Sequence, residues 1–359
     1  MKNKLYLQFI RILAFTCVIY NHTGQYGYEL FTVTSNKFIQ IICIILSNLC
    51  KIGVPLFFMI SGALLIPKKE DIKTLLIKRV LRISIILILV SFIYYIRLYI
   101  KHPEYGFSIV YFFKMIYTSP FITPFWFLYS YIAFLLILPF LRSATENMVE
   151  KDYIFIIALA LIYNIIVPIG NFIMEGNICL SIPIMSNIIL FPITGYYLDS
   201  IFDSDKPLIK TKQYPFYKKN PVILAIGLTI INSFLCLLLT YADFLKNDQW
   251  SFFHIENLFF IPAVSTFFLT KRFFKTSTKP LFIRKIISYW GNCIFIIYLF
   301  EEILREDICM NIYKNCNTEN PLLLFIPYLL SLFSLGVIIA SIIHIIKKFV
   351  VKHFFNRST

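Results

Sequence analysis

Residues 83–95 read ISIILILVSFIYY. A membrane-spanning β-strand alternates apolar and polar residues with a period of two. This stretch does not alternate: apolar side chains stand on every side of it. It belongs to a longer run, 83–100, enough helical residues to cross the roughly 30 Å hydrocarbon core of a bilayer. Nine further runs of the same character lie at about 5–25, 38–66, 121–141, 153–170, 178–198, 222–242, 252–270, 286–304 and 322–346. The expected fold is therefore all-α, with about ten transmembrane helices in one domain, 1–359. Composition agrees. The 359 residues are 58% hydrophobic and 18% aromatic, with a mean hydropathy of +0.75, which is the signature of a polytopic membrane protein rather than a soluble domain.

Charge gives the orientation. With the N-terminus inside, inner segments hold 25 of the 34 Lys and Arg residues and outer segments hold 7, with Arg11 and Lys51 inside spans. The positive-inside rule then predicts that both termini are cytoplasmic. The net charge of +15 is accounted for by topology and anionic headgroups, so it does not call for nucleic acid. Lys2 and Lys4 precede the first run as in a signal peptide, but no small-residue cleavage site follows, and a retained first helix is expected. No CxxC, HExxH or His-x-x-His pattern suggests a metal, and no Gly-rich loop suggests a phosphate cradle. Six of the eight cysteines lie in spans and read as packing residues. Cys309 and Cys316 share an outer loop. If that loop is helical they lie about 10 Å apart, too far for a disulfide; if it is not, a bridge is open to them.

Polar residues inside apolar runs carry the functional information. Arg11 and His22 lie in the first run, RILAFTCVIYNH. Eleven positions on a helix rise about 16 Å and return to within about 20° of the same face. An arginine inside a span costs on the order of 3 kcal/mol and normally faces protein or water. Arg11 is either a side chain snorkelling to the headgroups or one wall of a polar groove. His22 is either an interfacial histidine or a base at the other end of that groove, since imidazole takes a proton from a hydroxyl near neutral pH. Asn21 either orients neighbouring groups or ends the helix. Lys51, in the middle of the second run, must pair or face the same interior, and Pro55 is expected to bend or break that run. Ser61 and Gly62 form a small-residue patch suited to close helix contact. Arg79 and Arg82, three apart on an inner loop, either hold phosphate bidentately or supply ordinary inner charge.

Together these segments resemble the acyltransferase-3 family of integral-membrane O-acyltransferases. Arg11, ten residues and His22 match its first-helix pattern. Gly53, Val54, Phe57, Phe58, Ser61 and Gly62 match its Gly-Val-x-x-Phe-Phe-x-x-Ser-Gly helix, and Arg79 and Arg82 its Arg-x-x-Arg loop. FWFLYSYIAFLLILPFL, with Trp126, is similar to the Trp-Phe-Leu helix of the surface-polysaccharide and enterobacterial-common-antigen branch. WGNCIFIIYLFEE, with Gly291, Tyr298 and Leu299, is similar to the family's late helix. Tyr and Ser stand where larger members have an acidic residue after the tryptophan motif, and Glu301 where many have histidine.

The resemblance implies transfer of an acyl group, usually acetyl from acetyl-CoA as co-substrate with no bound cofactor, to a surface polysaccharide or lipid-linked glycan. The place would be the outer face of the bacterial cytoplasmic membrane. It implies that His22 is base or acyl carrier and that Arg79 and Arg82 serve acyl-CoA, with Lys51, Asn21, Trp126 and Ser61 as further candidates for substrate contact. Glu301 lies on the side of the membrane that bears His22. It either holds that imidazole, as an acid partner does, or begins an acidic outer loop with Glu302. The rival class is an exporter of polysaccharide or small acids. Secondary transporters often carry inverted repeats and paired broken helices; this sequence offers one broken helix and no repeat.

Overall fold

The structure, a computed structural model, describes residues 4–176, 182–201, 221–276, 280–312 and 321–350. Every described element is helical. The main helices are α1 (Leu5–Asn21), α2 (Lys37–Cys50), α3 (Gly53–Leu65), α4 (Leu81–Lys101), α5 (Trp126–Asn147), α6 (Glu150–Met174) and α7 (Asn187–Ile201). They continue with α8 (Pro221–Asn247), α9 (Phe253–Asn257), α10 (Phe260–Thr276), α11 (Leu281–Leu304) and α12 (Phe325–Val350). Each of the ten apolar runs thus contains a helix. Seven helical stretches among the described residues are long and apolar enough to cross a membrane. α1, α7 and α10 are shorter, at 17, 15 and 17 residues.

The second run is broken as Pro55 requires, though the break falls at Lys51 and Ile52. A proline ring collides with the carbonyl four residues back and offers it no N–H, and four residues before Pro55 is Lys51. Pro55 itself sits in the first turn of α3, where a missing N–H costs nothing. The Asn21 side chain donates to the Cys50 carbonyl at 3.1 Å, satisfying the end of α2. Asn36 caps the other end, its side chain accepting from the amides of Phe38 and Ile39.

The helices group into two compact units. One comprises residues 1–60, 157–181 and 210–359, the other 61–156 and 182–209. In the first, α1 and α11 lie side by side and parallel: Gln8 meets Asn292 and His22 meets Glu301. The first and ninth members of an alternating series run this way. α12 is antiparallel to α11, with Tyr289 against Ser341, Gly336 against Ile297 and Cys309 against Ser331. Phe15, Ile19, Ile294, Ile297, Leu332 and Phe333 are buried where the three helices meet. Burying side chains of this size contributes about 1.5–3 kcal/mol each when the alternative is water. A second cluster joins α2, α8 and α9 through Cys43, Ile44, Cys236, Leu239, Ile255 and Leu258. Cys17, Cys43, Cys50, Cys236, Cys293 and Cys309 are free thiols. The bridge considered above falls on Cys316, which lies outside the described residues.

In the second unit α3 crosses α7 at Gly62, where any Cβ would overlap the backbone of Pro192. The small-residue patch is thus a close helix contact. Tyr153 stacks on Tyr197 with ring centroids 4.9 Å apart, fastening α6 to α7.

Candidate functional site

The end of α1 is a pair. His22 follows the last helical residue, its backbone N–H held by the carbonyls of Val18 and Ile19, so the imidazole leaves the helix in a defined direction. Nδ1 lies 3.1 Å from Glu301 Oε2 on α11. The Glu301 side chain is 1% exposed and that of His22 is 25% exposed. An ionised carboxylate only accepts hydrogen bonds. When Glu301 is ionised and the imidazole neutral, Nδ1 carries the proton and Nε2 keeps its lone pair. Nothing among the described residues hydrogen-bonds Nε2 or Glu301 Oε1. Arg305, one turn further on, approaches Oε1 to 3.9 Å but commits its guanidinium to Glu302 through Nε at 3.2 Å and a second nitrogen. The two adjacent glutamates thus divide: Glu301 takes the imidazole and Glu302 the arginine.

Three turns back along the same seam, Arg11 donates to Gln8 at 3.0 Å, and Gln8 donates to Asn292 at 3.1 Å. A side chain at Gly291 would collide with Gln8, so this glycine admits the polar contact. Arg11 and His22 therefore both lie along the α1–α11 seam, at two levels. Gln8 and Asn292 were not singled out from the sequence. Gln8 could have been found as a polar residue one turn before Arg11 inside an apolar run, whereas Asn292 stands out only once its partner is known.

Asn21 and Lys51 come together through the broken helix. Asn21 holds the Cys50 carbonyl, and Lys51 forms an ion pair with Glu256 of α9 at 2.9 Å, over the Tyr28 ring at 4.4 Å. Tyr28 also donates to Glu256, at 3.2 Å. Lys51 is paired, as its position demanded.

The remaining candidates belong to the second unit. Arg79 closes its fork on Glu70, Nε at 2.9 Å and a terminal nitrogen at 2.5 Å. Arg142 reaches the same carboxylate at 3.1 Å and the Leu65 carbonyl at 2.9 Å. Arg82 is exposed, and a π-helical turn over Leu76–Val80 intervenes in the regular helix that the three-residue spacing assumed. The described pair is therefore Arg79 with Arg142, converging on Glu70, rather than Arg79 with Arg82. Trp126 begins α5 and is 41% exposed; Ser61 is half-buried beside Gly62.

The Arg79 hydrogen bond, joined by Arg142, holds the Glu70 carboxyl down at about 2, against an ordinary 4.5. A depressed carboxylate contributes stability that is fully present above its ordinary range and lost as pH falls toward the depressed value. The clamp should be indifferent to pH between 5 and 8. Glu70→Gln should destabilise the protein by about 1–3 kcal/mol, since two part-buried guanidiniums lose their shared acceptor. Thermal unfolding of detergent-solubilised protein at pH 7 checks this, and an unchanged midpoint would mean that water replaces the carboxylate.

Comparison with known proteins decides the family. The family model described as an acyltransferase domain matches residues 4–345. The chain belongs to the acyltransferase-3 family. No curated protein and no solved structure matches it. The match spans nearly the whole of this membrane acyltransferase and takes in both units. An imidazole backed by a buried carboxylate can accept a proton from an incoming hydroxyl and return it to a leaving group.

Proposed function

We propose that this acyltransferase moves an acetyl group from acetyl-CoA to a hydroxyl of a surface polysaccharide or lipid-linked glycan, with His22 Nε2 as the base. The observation that carries the reading is the 3.1 Å contact of His22 Nδ1 with buried Glu301, which leaves Nε2 as the nitrogen able to take a proton. The acceptor hydroxyl gives its proton to Nε2 as its oxygen attacks the thioester carbonyl. The tetrahedral adduct then expels the CoA sulfur, which takes the proton back from the imidazolium. Glu301 fixes the tautomer and stabilises the charged ring. Arg11, about 16 Å along the helix, is too far to touch the atoms reacting at His22. Its charge suits the donor side of the seam. On this reading both termini are cytoplasmic, the membrane is the bacterial cytoplasmic membrane, and acetyl-CoA arrives from within.

Deleting the gene should remove O-acetyl groups from the host's surface glycan while the glycan itself still reaches the surface. Acetylation that persists would contradict the reading, and loss of the glycan with acetylation intact would favour an exporter.

The donor reading of the inner arginines has its own test. Charge-assisted hydrogen bonds contribute roughly 1.5–3 kcal/mol each, so Arg79→Gln with Arg82→Gln should weaken acetyl-CoA binding to purified protein at least tenfold. Arg82→Gln alone separates binding from folding, because Arg82 is exposed and Arg79 is not free of Glu70. Unchanged affinity in both variants would leave these arginines as topology determinants.

A further inference from the structure

A cavity of about 450 Å³ lies between the ends of α6 and α8 and the turn leading into α9. Its most unusual wall is His254. This side chain is 1% exposed, and its Nε2 lies 2.9 Å from Asp243 Oδ2, off the line of a hydrogen bond. No hydrogen-bond partner meets Nδ1 among the described residues. Such a group is costly to bury without a partner, and both ring nitrogens lie behind the cavity surface rather than open to it. The ring is held edge-on between Phe172 and Phe253, at 6.2 and 5.3 Å, which fixes its direction. Two non-glycine residues among those described have left-handed backbones, Glu175 and Asp248. Glu175 lines the cavity and Asp248 follows Asn247, which also lines it. Backbone strain of this kind persists where the surrounding structure over-determines it.

We infer that this cavity is a subsite for an uncharged sugar unit of the acceptor glycan, an inference that rests on the acceptor class proposed above. Size permits it, since small-molecule sites commonly run from about 300 to 1,000 Å³. Charge selects it. Lys246 is paired with Glu175, and the other acidic side chain in the wall is Asp243, beside His254, so the walls have no surplus positive charge to attract phosphate or carboxylate. Asn247 and Ser251 line the cavity with both donors and acceptors, and Phe172 and Phe253 add apolar rings to its lining. A sugar ring has the matching character: hydroxyls around its edge and C–H groups on its faces. The subsite also connects with the transfer site. Glu256, two residues past His254, holds Lys51; Lys51 follows Cys50, whose carbonyl is held by Asn21, the neighbour of His22.

The test uses the full chain in nanodiscs and, as probe, oligosaccharides released by mild acid from the host's own surface glycan. Saturation-transfer NMR reads their binding directly, and initial rates with acetyl-CoA give acceptor KM and kcat. Asp243→Asn and Ser251→Trp, the second filling the cavity from a part-exposed position, should each weaken oligosaccharide binding and raise acceptor KM at least tenfold. The KM for acetyl-CoA and kcat should stay within about twofold, a split that a general loss of structure would not produce. Wild-type protein that fails to bind the oligosaccharides, binding unmoved by both variants, or displacement from the cavity by inorganic phosphate would each overturn the subsite. Binding through the cavity without acetyl transfer by the wild type would overturn the acyltransferase reading and leave the subsite standing. Transfer with acceptor KM unmoved by Ser251→Trp would do the reverse.

Discussion

Replacing His22 with alanine should abolish O-acetylation of the host glycan, a loss of at least 10²-fold on the scale usual for a general base, while the protein still inserts and accumulates. Alanine also leaves Glu301 buried with Arg305 no nearer than 3.9 Å, and breaking a buried pair destabilises as well as inactivates. His22→Gln is therefore the companion variant. It keeps a donor for the carboxylate and removes the base. O-acetyl content measured beside membrane protein level separates the two effects. Wild-type acetylation by either variant, at normal abundance, would remove His22 from the chemistry.

The second large effect divides two neighbours. Glu301→Gln should cut acetylation on the order of 10²-fold or more, because an amide in place of the carboxylate neither selects the Nδ1–H tautomer nor stabilises the imidazolium. Glu302→Gln should cost about threefold at most, since Glu302 holds Arg305 and not His22. Rates from membranes of equal protein content check this. Equal, mild effects would return Glu301 to an ordinary place at the start of the outer loop.

The difference between these neighbours shows what the sequence could and could not supply. A run such as 83–95 is legible as a helix because its composition excludes the alternatives, and all ten runs contain one. Their ends are less legible. Apolar residues continue past α1 and around α7 and α10 into turns, because lipid-facing and protein-facing positions share one chemistry. Pro55 marked the break in the second run, and its missing N–H explains why the break falls at Lys51. The Arg11–His22 spacing was readable because it repeats along a single helix.

Partners across the fold were not readable in this way. Glu301 was a candidate only through its topological level and the resemblance, and the alternative, a place beside Glu302 at the start of an acidic outer loop, stayed open in the sequence. Glu256 lies 205 positions from Lys51, and Asn292 lies 284 from Gln8. Helices apolar all round carry little periodicity to say which face meets which neighbour. The same gap explains Arg79: the three-residue spacing to Arg82 suggested a pair, whereas Glu70 and Arg142 capture it from segments that the spacing does not involve. His254 was passed over because, without Asp243 and the cavity, it is one histidine in an apolar run.

The most direct test of the account is acetyl transfer by purified protein in proteoliposomes, wild type beside His22→Gln. Acetyl-CoA labelled in its acetyl group is enclosed with the cytoplasmic side, and glycan is supplied outside. Labelled glycan should appear outside the wild-type vesicles, with free CoA released inside in equal amount, and His22→Gln should give background label. No label on the glycan from active, correctly oriented wild type, or equal labelling by the variant, would contradict it.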